Sequence, residues 1–123
     1  RCLFIGNQLD IPAFYNACDL TALLSLREGT PNVALESMAC GKPVIASDVA
    51  DNAIIIRNGV VGWVVAAGDG VQASIHADQL LSDPEFLAEM GREARAHVAE
   101  NYTPACAAAK LAEIYHERFL KKR

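Results

Sequence analysis

Short apolar runs alternate with polar stretches punctuated by glycine and proline along the first seventy positions. CLFIG, Cys2 to Gly6, reads as a fully buried strand stopped by glycine. In DIPAFYNACD, Asp10 is a candidate N-cap and Pro12 falls in the first turn, which predicts a helix from about Ile11 to Cys18. DLTALLSL, Asp19 to Leu26, is a second apolar strand. TPNVALESMACG predicts a helix capped by Thr30, with Pro31 at its first position and Gly41 in the left-handed stop. KPVIAS is a third buried strand, DNAIIIRNG a single helical turn closed by Asn58-Gly59, GWVVAA a fourth strand and GDG a turn. After Gly70 the period lengthens. Val71, Ile75 and Leu80–Leu81 suit an amphipathic helix from Val71 to Leu81. Asp83-Pro84 opens another, with Phe86, Leu87, Met90, Ala94 and Val98 on one side. YTP interrupts it, and Thr103 and Pro104 open a last helix whose apolar stripe is Leu111, Ile114, Tyr115 and Phe119.

Buried strands alternating with helices predict an α/β fold with a parallel sheet covered on both faces. The 123 residues suffice for one domain with a single core. Apolar residues make up 52% of the chain, which excludes a disordered chain. No apolar run reaches the ~18 residues of a membrane span. The opening RCLFIGN lacks a leader pattern and enters an apolar run directly, as if cut from a longer protein. The net charge of −4 argues against a nucleic-acid partner. The basic end, Arg118, Lys121, Lys122 and Arg123, reads as the dipole-matched last turn of a helix. Cys2, Cys18, Cys40 and Cys106 have no zinc-ligand spacing, and the first three, among apolar neighbours, read as small hydrophobes. A reduced, cytoplasmic setting follows as an expectation.

The chemistry concentrates in REGTPNVALESMACGKPVIASD, Arg27 to Asp48. In open parallel sheets ligands bind beyond the carboxyl ends of strands, and Glu28 lies in the loop leaving the Asp19–Leu26 strand. The Gly29–Asn32 turn meets a helix start, whose first N–H groups lack internal partners and favour an anion such as phosphate. Gly29 permits close approach. Pro31 has no N–H, so Asn32 and Val33 are the candidate donors, with Thr30 nearby. Glu36 lies five residues past Pro31, about 7 Å along the axis at ~1.5 Å per residue. Its carboxylate suits a pair of neighbouring hydroxyls such as a ribose diol, and Glu28 suits hydroxyls on the other side of the phosphate. Two glutamates at this spacing also read as a dipole complement and a solvated face residue. The apolar surroundings of Glu36 favour a partnered carboxylate.

EGTPNVALESMACGKPVIASDV resembles the E-x7-E signature of the group 1, family 4 retaining glycosyltransferases of GT-B fold. FIGNQLDIPAFYNACDLTALLS, NGVVGWVVAAGD and LLSDPEFLAEMGREARAHVAENYT are similar to that family's flanking segments, so the likeness covers essentially the whole chain. The resemblance implies a Rossmann-like sheet flanked by helices. Residues 1–123 would be part of the C-terminal, nucleotide-sugar-binding domain, without the start of that domain and without the acceptor domain. It implies binding of a UDP- or GDP-linked sugar and retaining transfer of a hexosyl group to a glycan or lipid-linked acceptor. Polysaccharide or lipid-linked glycan assembly is the family's commonest use. Glu36 would bond the ribose, Glu28 would contact the donor sugar as the catalytic candidate, and backbone from Gly29 to Val33, through Thr30, Pro31 and Asn32, would approach the diphosphate or sugar. No cofactor and no metal ligand is expected. The chain alone is expected to be inactive, and the whole enzyme to be cytoplasmic, with peripheral association at the inner membrane face within its range. A non-catalytic nucleotide- or phosphosugar-binding module of the same fold is the alternative. A response-regulator-like domain would need an acidic cluster at strand ends, which the sequence lacks.

The chain departs from the family pattern after the third strand: ADNAIII, Ala50 to Ile56, stands where many members have Gly-Gly and an acidic residue, so Ile54 replaces the acid. His76, His97 and His116 read as surface or packing residues, Asp69 as a helix cap, and Trp63 and Met38 as core. Ser47 and Asp48 are site candidates of second rank.

Overall fold

The computed structural model describes residues 2–120. Lys121, Lys122 and Arg123, read above with Arg118 as a last helical turn, lie outside the described residues. The elements run α1 (Ile11–Ala17), β1 (Thr21–Leu23), α2 (Asn32–Ala39), β2 (Val44–Ser47), α3 (Asn52–Ile55), β3 (Gly62–Val65), α4 (Gly70–Ser82), α5 (Pro84–Asn101) and α6 (Pro104–Tyr115), then a π-helical turn, His116–Leu120. The sheet is parallel throughout, in the order β1-β2-β3, with Thr21 beside Val44 and Val44 beside Gly62.

β2 is buried on both faces, so its side chains serve two cores. Val44 and Ala46 pack with Ala34, Met38, Ile55, Ile56, Val61 and Ala94 on the side of α2 and α5. Ile45 packs with Val65, Ala73, Leu80 and Met90 on the side of α4. Trp63 lies half-buried against this second core, and its ring stacks on His76 with centroids 4.1 Å apart. Four helix starts follow the sequence closely. Asp10, Asp69, Asp83 and Thr103 each accept a backbone N–H three residues on. α2 stops as predicted: Gly41, at φ +72°, donates to the Met38 carbonyl and Lys42 to that of Ser37, the paired bonds of a Schellman stop.

Several expectations fail. Cys2–Gly6 forms no strand: it is exposed, with Phe4 fully so. An apolar run signals a need for burial but supplies no partner, and β1 pairs only with β2. For the same reason the Asp19–Leu26 strand shrinks to Thr21–Leu23, leaving Leu24 and Leu26 exposed. Cys2 and Cys18 are exposed rather than packed, Cys40 is half-buried, and all four cysteines are free. The predicted stripe of the last helix runs from α6 into the π-helical turn, yet Leu111, Ile114 and Tyr115 in α6 and Phe119 in the turn are all more than half exposed. Ala50 sits at φ +49°, the conformation that the Gly-Gly of the family pattern would adopt without strain.

Candidate functional site

The loop from β1 to α2 delivers the motif to the carboxyl end of the sheet. Beside it a cavity of about 230 Å3, lined by Leu24, Ser47, Ala66, Gly68, Asp69 and Gly70, opens where the three strands end. Ser47 is thus part of that wall. Asp69 is engaged in capping α4, and exposed Asp48 donates its N–H to the Val65 carbonyl at 2.7 Å. Asn52, fully buried, donates from Nδ2 to the Ser47 carbonyl at 2.9 Å and pins the strand end.

The start of α2 differs from the expected one. Pro31, not Thr30, is the N-cap, and no side chain caps the helix. At φ −79° and ψ 67°, Pro31 forms an inverse γ-turn in which the Asn32 N–H donates to the Thr30 carbonyl at 2.8 Å. Asn32 is therefore not the free donor that the sequence promised. The switch lies in ψ, since a φ of −79° suits a helix as well as this turn, whereas a ψ of 67° takes Pro31 out of the helix. Ala34 and Leu35 donate to the Pro31 carbonyl. Among the described residues the Val33 N–H has no backbone partner, and it points from the first turn of α2 with the partial charge of a helix start. Gly29, Thr30 and Asn32 are exposed and Pro31 is buried. A Cβ on Gly29 would meet nothing within 4 Å, so the chain itself does not demand glycine there.

Each glutamate is held by a hydroxyl. Ser25 Oγ donates to Glu28 Oε1 within the β1–α2 loop, and Glu28 is half-buried. Tyr15 Oη, from α1, donates to Glu36 Oε2 at 3.2 Å and lies 3.4 Å from the Val33 carbonyl. Glu36 is exposed, so it is not the buried carboxylate its apolar neighbours suggested, yet it does have a partner. The structure thus joins Val33 and Glu36 through Tyr15 and Glu28 to Ser25. Neither hydroxyl was singled out from sequence. Ser25, three residues before Glu28, was legible as a local partner; Tyr15 lies twenty-one residues from Glu36, and only the packing of α1 brings it there.

Burial, then the negative charge of Glu36 and the hydrogen bond to it, push the Tyr15 phenol up to about 12. The neutral phenol is the form the fold favours. Its contribution to stability is complete below the ordinary value near 10 and is lost as pH rises from about 10 to about 12. In an absorbance titration at 295 nm, one tyrosine is expected to ionise near 12, and Glu36→Gln should bring it only part of the way back, because burial is the larger cause. Ionisation at the ordinary value would contradict the Tyr15–Glu36 bond.

Among the described residues no group of three or more His, Cys, Asp or Glu side chains is placed to hold a metal ion. His97 is a packing residue, with Nε2 2.9 Å from the Ile55 carbonyl, and His76 stacks on Trp63. No described helix is long and apolar enough to cross a membrane.

The architecture is that of the C-terminal, Rossmann-like half of a GT-B fold. The Anabaena protein HepE, solved in complex with UDP and glucose, superposes with a TM-score of 0.85 at 27% identity over 94% of this chain and 32% of its own. The C-terminal domain of the group 1 glycosyl transferase LpcC from Francisella tularensis superposes with a TM-score of 0.75 at 28% identity, over 84% of this chain and 53% of that one. A family profile described as "Glycosyl transferases group 1" matches residues 1–97, and the chain belongs to that family. Its relatives include the N-acetyl-alpha-D-glucosaminyl L-malate synthase of Bacillus anthracis, 34% identical over 95% of this chain. A D-inositol 3-phosphate glycosyltransferase of Thermobispora bispora is 39% identical over 89% of it. The chain spans 31% and 26% of the lengths of these two relatives.

Proposed function

We propose that residues 1–123 are part of the donor-binding domain of a two-domain glycosyltransferase. The domain binds a nucleotide-diphospho-sugar, UDP- or GDP-linked, and presents it for transfer of a hexosyl group to a glycan or lipid-linked acceptor held by the other domain. Configuration at the sugar is retained. The observations that support this reading are an unpartnered amide (Val33) at the start of the helix that follows β1 in a parallel sheet, and carboxylates before and after it in the sequence, Glu28 and Glu36, each held by a hydroxyl. The solved neighbour with UDP and glucose supports the ligand class.

The roles follow from the chemistry of each group. An ionised carboxylate only accepts hydrogen bonds, so Glu36 meets the ribose hydroxyls and Glu28 the hydroxyls of the sugar. Backbone from Gly29 to Val33, with the Thr30 hydroxyl, faces the diphosphate. There the Val33 N–H opposes the negative charge that develops as the nucleotide departs, a fixed donor aimed at a forming anion. Asn32 contributes through its side chain and Pro31 by shaping the turn. The proposal needs no cofactor beyond the donor and places the whole enzyme in the cytoplasm, with peripheral contact to the inner membrane face when the acceptor is lipid-linked.

Calorimetric titration of the full-length protein with UDP and GDP tests the reading. One of them should bind, and Glu36→Gln should weaken it about tenfold, the worth of a charge-assisted bond of ~1.5 kcal/mol. Transfer from the matching nucleotide-sugar, followed by NMR of the product anomer, tests retention. Binding without transfer to any glycan or lipid acceptor would leave a non-catalytic nucleotide-binding module.

A further inference from the structure

We propose that Tyr15 is a positioning residue for this site: from α1, outside the Glu28–Glu36 stretch, its hydroxyl sets the orientation of the Glu36 carboxylate that receives the ribose. The inference rests on the donor-site reading above. Glu36 is exposed on α2, where a glutamate side chain with its rotatable bonds samples several rotamers. The Tyr15 hydroxyl has one hydrogen and two acceptors, Glu36 Oε2 at 3.2 Å and the Val33 carbonyl at 3.4 Å. These acceptors sit three residues apart on one face of α2, so the rigid phenol spans the helix turn that also carries the Val33 amide. The same contact therefore orders the carboxylate and ties α1 to the helix start.

Two observations separate this from a packing role. Tyr15 is half-buried against α2 but belongs to neither core, so it is not there to complete one. And Tyr15 and Glu36 share the wall of an open cavity of about 310 Å3 with Ile11, Pro12, Ala39 and Cys40, so the pair faces a concave surface rather than the interior. With Oε2 taken by Tyr15, Oε1 has no protein donor among the described residues and is the oxygen left for a ligand hydroxyl. The phenol also keeps its proton throughout the neutral range, so it remains a donor to the carboxylate wherever the enzyme works.

The test compares UDP and GDP with their 2′,3′-dideoxy counterparts in calorimetric titrations of the full-length protein, wild type, Tyr15→Phe, Glu36→Gln and the double variant. Tyr15→Phe keeps the ring and removes only the hydroxyl. It is expected to weaken the bound ribonucleotide about threefold to tenfold, to leave the dideoxy counterpart unchanged, and to alter kcat at saturating donor less than twofold. In the double variant the loss should equal that of Glu36→Gln alone. Equal weakening of ribo- and dideoxynucleotide, losses that add in the double variant, or unaltered affinity in Tyr15→Phe would overturn the positioning role while the donor site stands. A Glu36→Gln protein that binds the ribonucleotide as wild type does, or a wild type that binds neither UDP nor GDP, would overturn the donor-site reading and this inference with it.

Discussion

Alanine at Gly62 or at Gly91 is expected to be among the most destabilising single substitutions in the fold. At Gly62 a Cβ would stand 2.1 Å from the Val44 carbonyl oxygen, and at Gly91 2.3 Å from that of Gly41. Both obstacles are backbone, which cannot rotate aside like the end of a side chain. Val44 opens the central strand, held between β1 and β3, so it cannot retreat without opening the ladder. Gly41 is the left-handed stop of α2, fixed by its own bond to Met38, and α5 crosses there closely enough that only a hydrogen fits between the two backbones. Overpacking a core with one methyl commonly costs ~1–3 kcal/mol, and more where the neighbour cannot give. A domain of this size has only about 5–15 kcal/mol in hand. Each substitution should therefore lower Tm by 10 °C or more, while Gly29→Ala, which meets nothing, should stay within a few degrees of wild type. Thermal unfolding followed by circular dichroism reads this directly. Gly62→Ala or Gly91→Ala proteins melting with wild type would mean that the strand and helix contacts are looser than described.

These two glycines also mark how far the sequence could be read. Gly91, in EMGREARAH, carries no local signal, because its reason is the Gly41 backbone fifty residues upstream (91 − 41), brought within contact distance by the packing of α5 on the end of α2. Gly41 was legible, since a left-handed stop followed by lysine and proline is written within a few residues. The same division holds elsewhere. The caps at Asp10, Asp69, Asp83 and Thr103 were readable because each bond spans three residues. Strand lengths were not, because strands need neighbours: Val44–Ser47 is paired on both sides and forms, while Cys2–Gly6, equally apolar, has no partner and does not. At the site, the glutamates and the turn were visible in sequence. The γ-turn at Pro31, which withdraws the Asn32 amide, and the reach of Tyr15 to Glu36 depend on backbone angles and helix packing that no spacing rule encodes.

Glu28→Ala in the full-length protein is expected to lower kcat about 10- to 100-fold and to change donor affinity little. Glu28 lies in the loop before α2 rather than on it, and the proposed reading gives Glu36 the ribose and Glu28 the transferred sugar. Its Oε1 takes the Ser25 hydroxyl, which leaves Oε2 for a sugar hydroxyl. A bond to an ionised carboxylate is worth ~1.5–3 kcal/mol, and if it strengthens only as the sugar separates from the nucleotide, the whole of it appears in kcat. Glu28→Gln keeps the size and one acceptor oxygen but loses the charge, and should fall between alanine and wild type. Ser25→Ala removes the hydroxyl that fixes the carboxylate and should cost less than Glu28→Ala, since the acceptor remains. The fold should tolerate all three, because the loop residue is half-buried and belongs to neither core. A rise in KM for the nucleotide-sugar with kcat preserved would assign Glu28 to ground-state binding alone. A Glu28→Ala enzyme within twofold of wild type in both constants would remove it from the site, and with it the proposed division of labour between the two carboxylates.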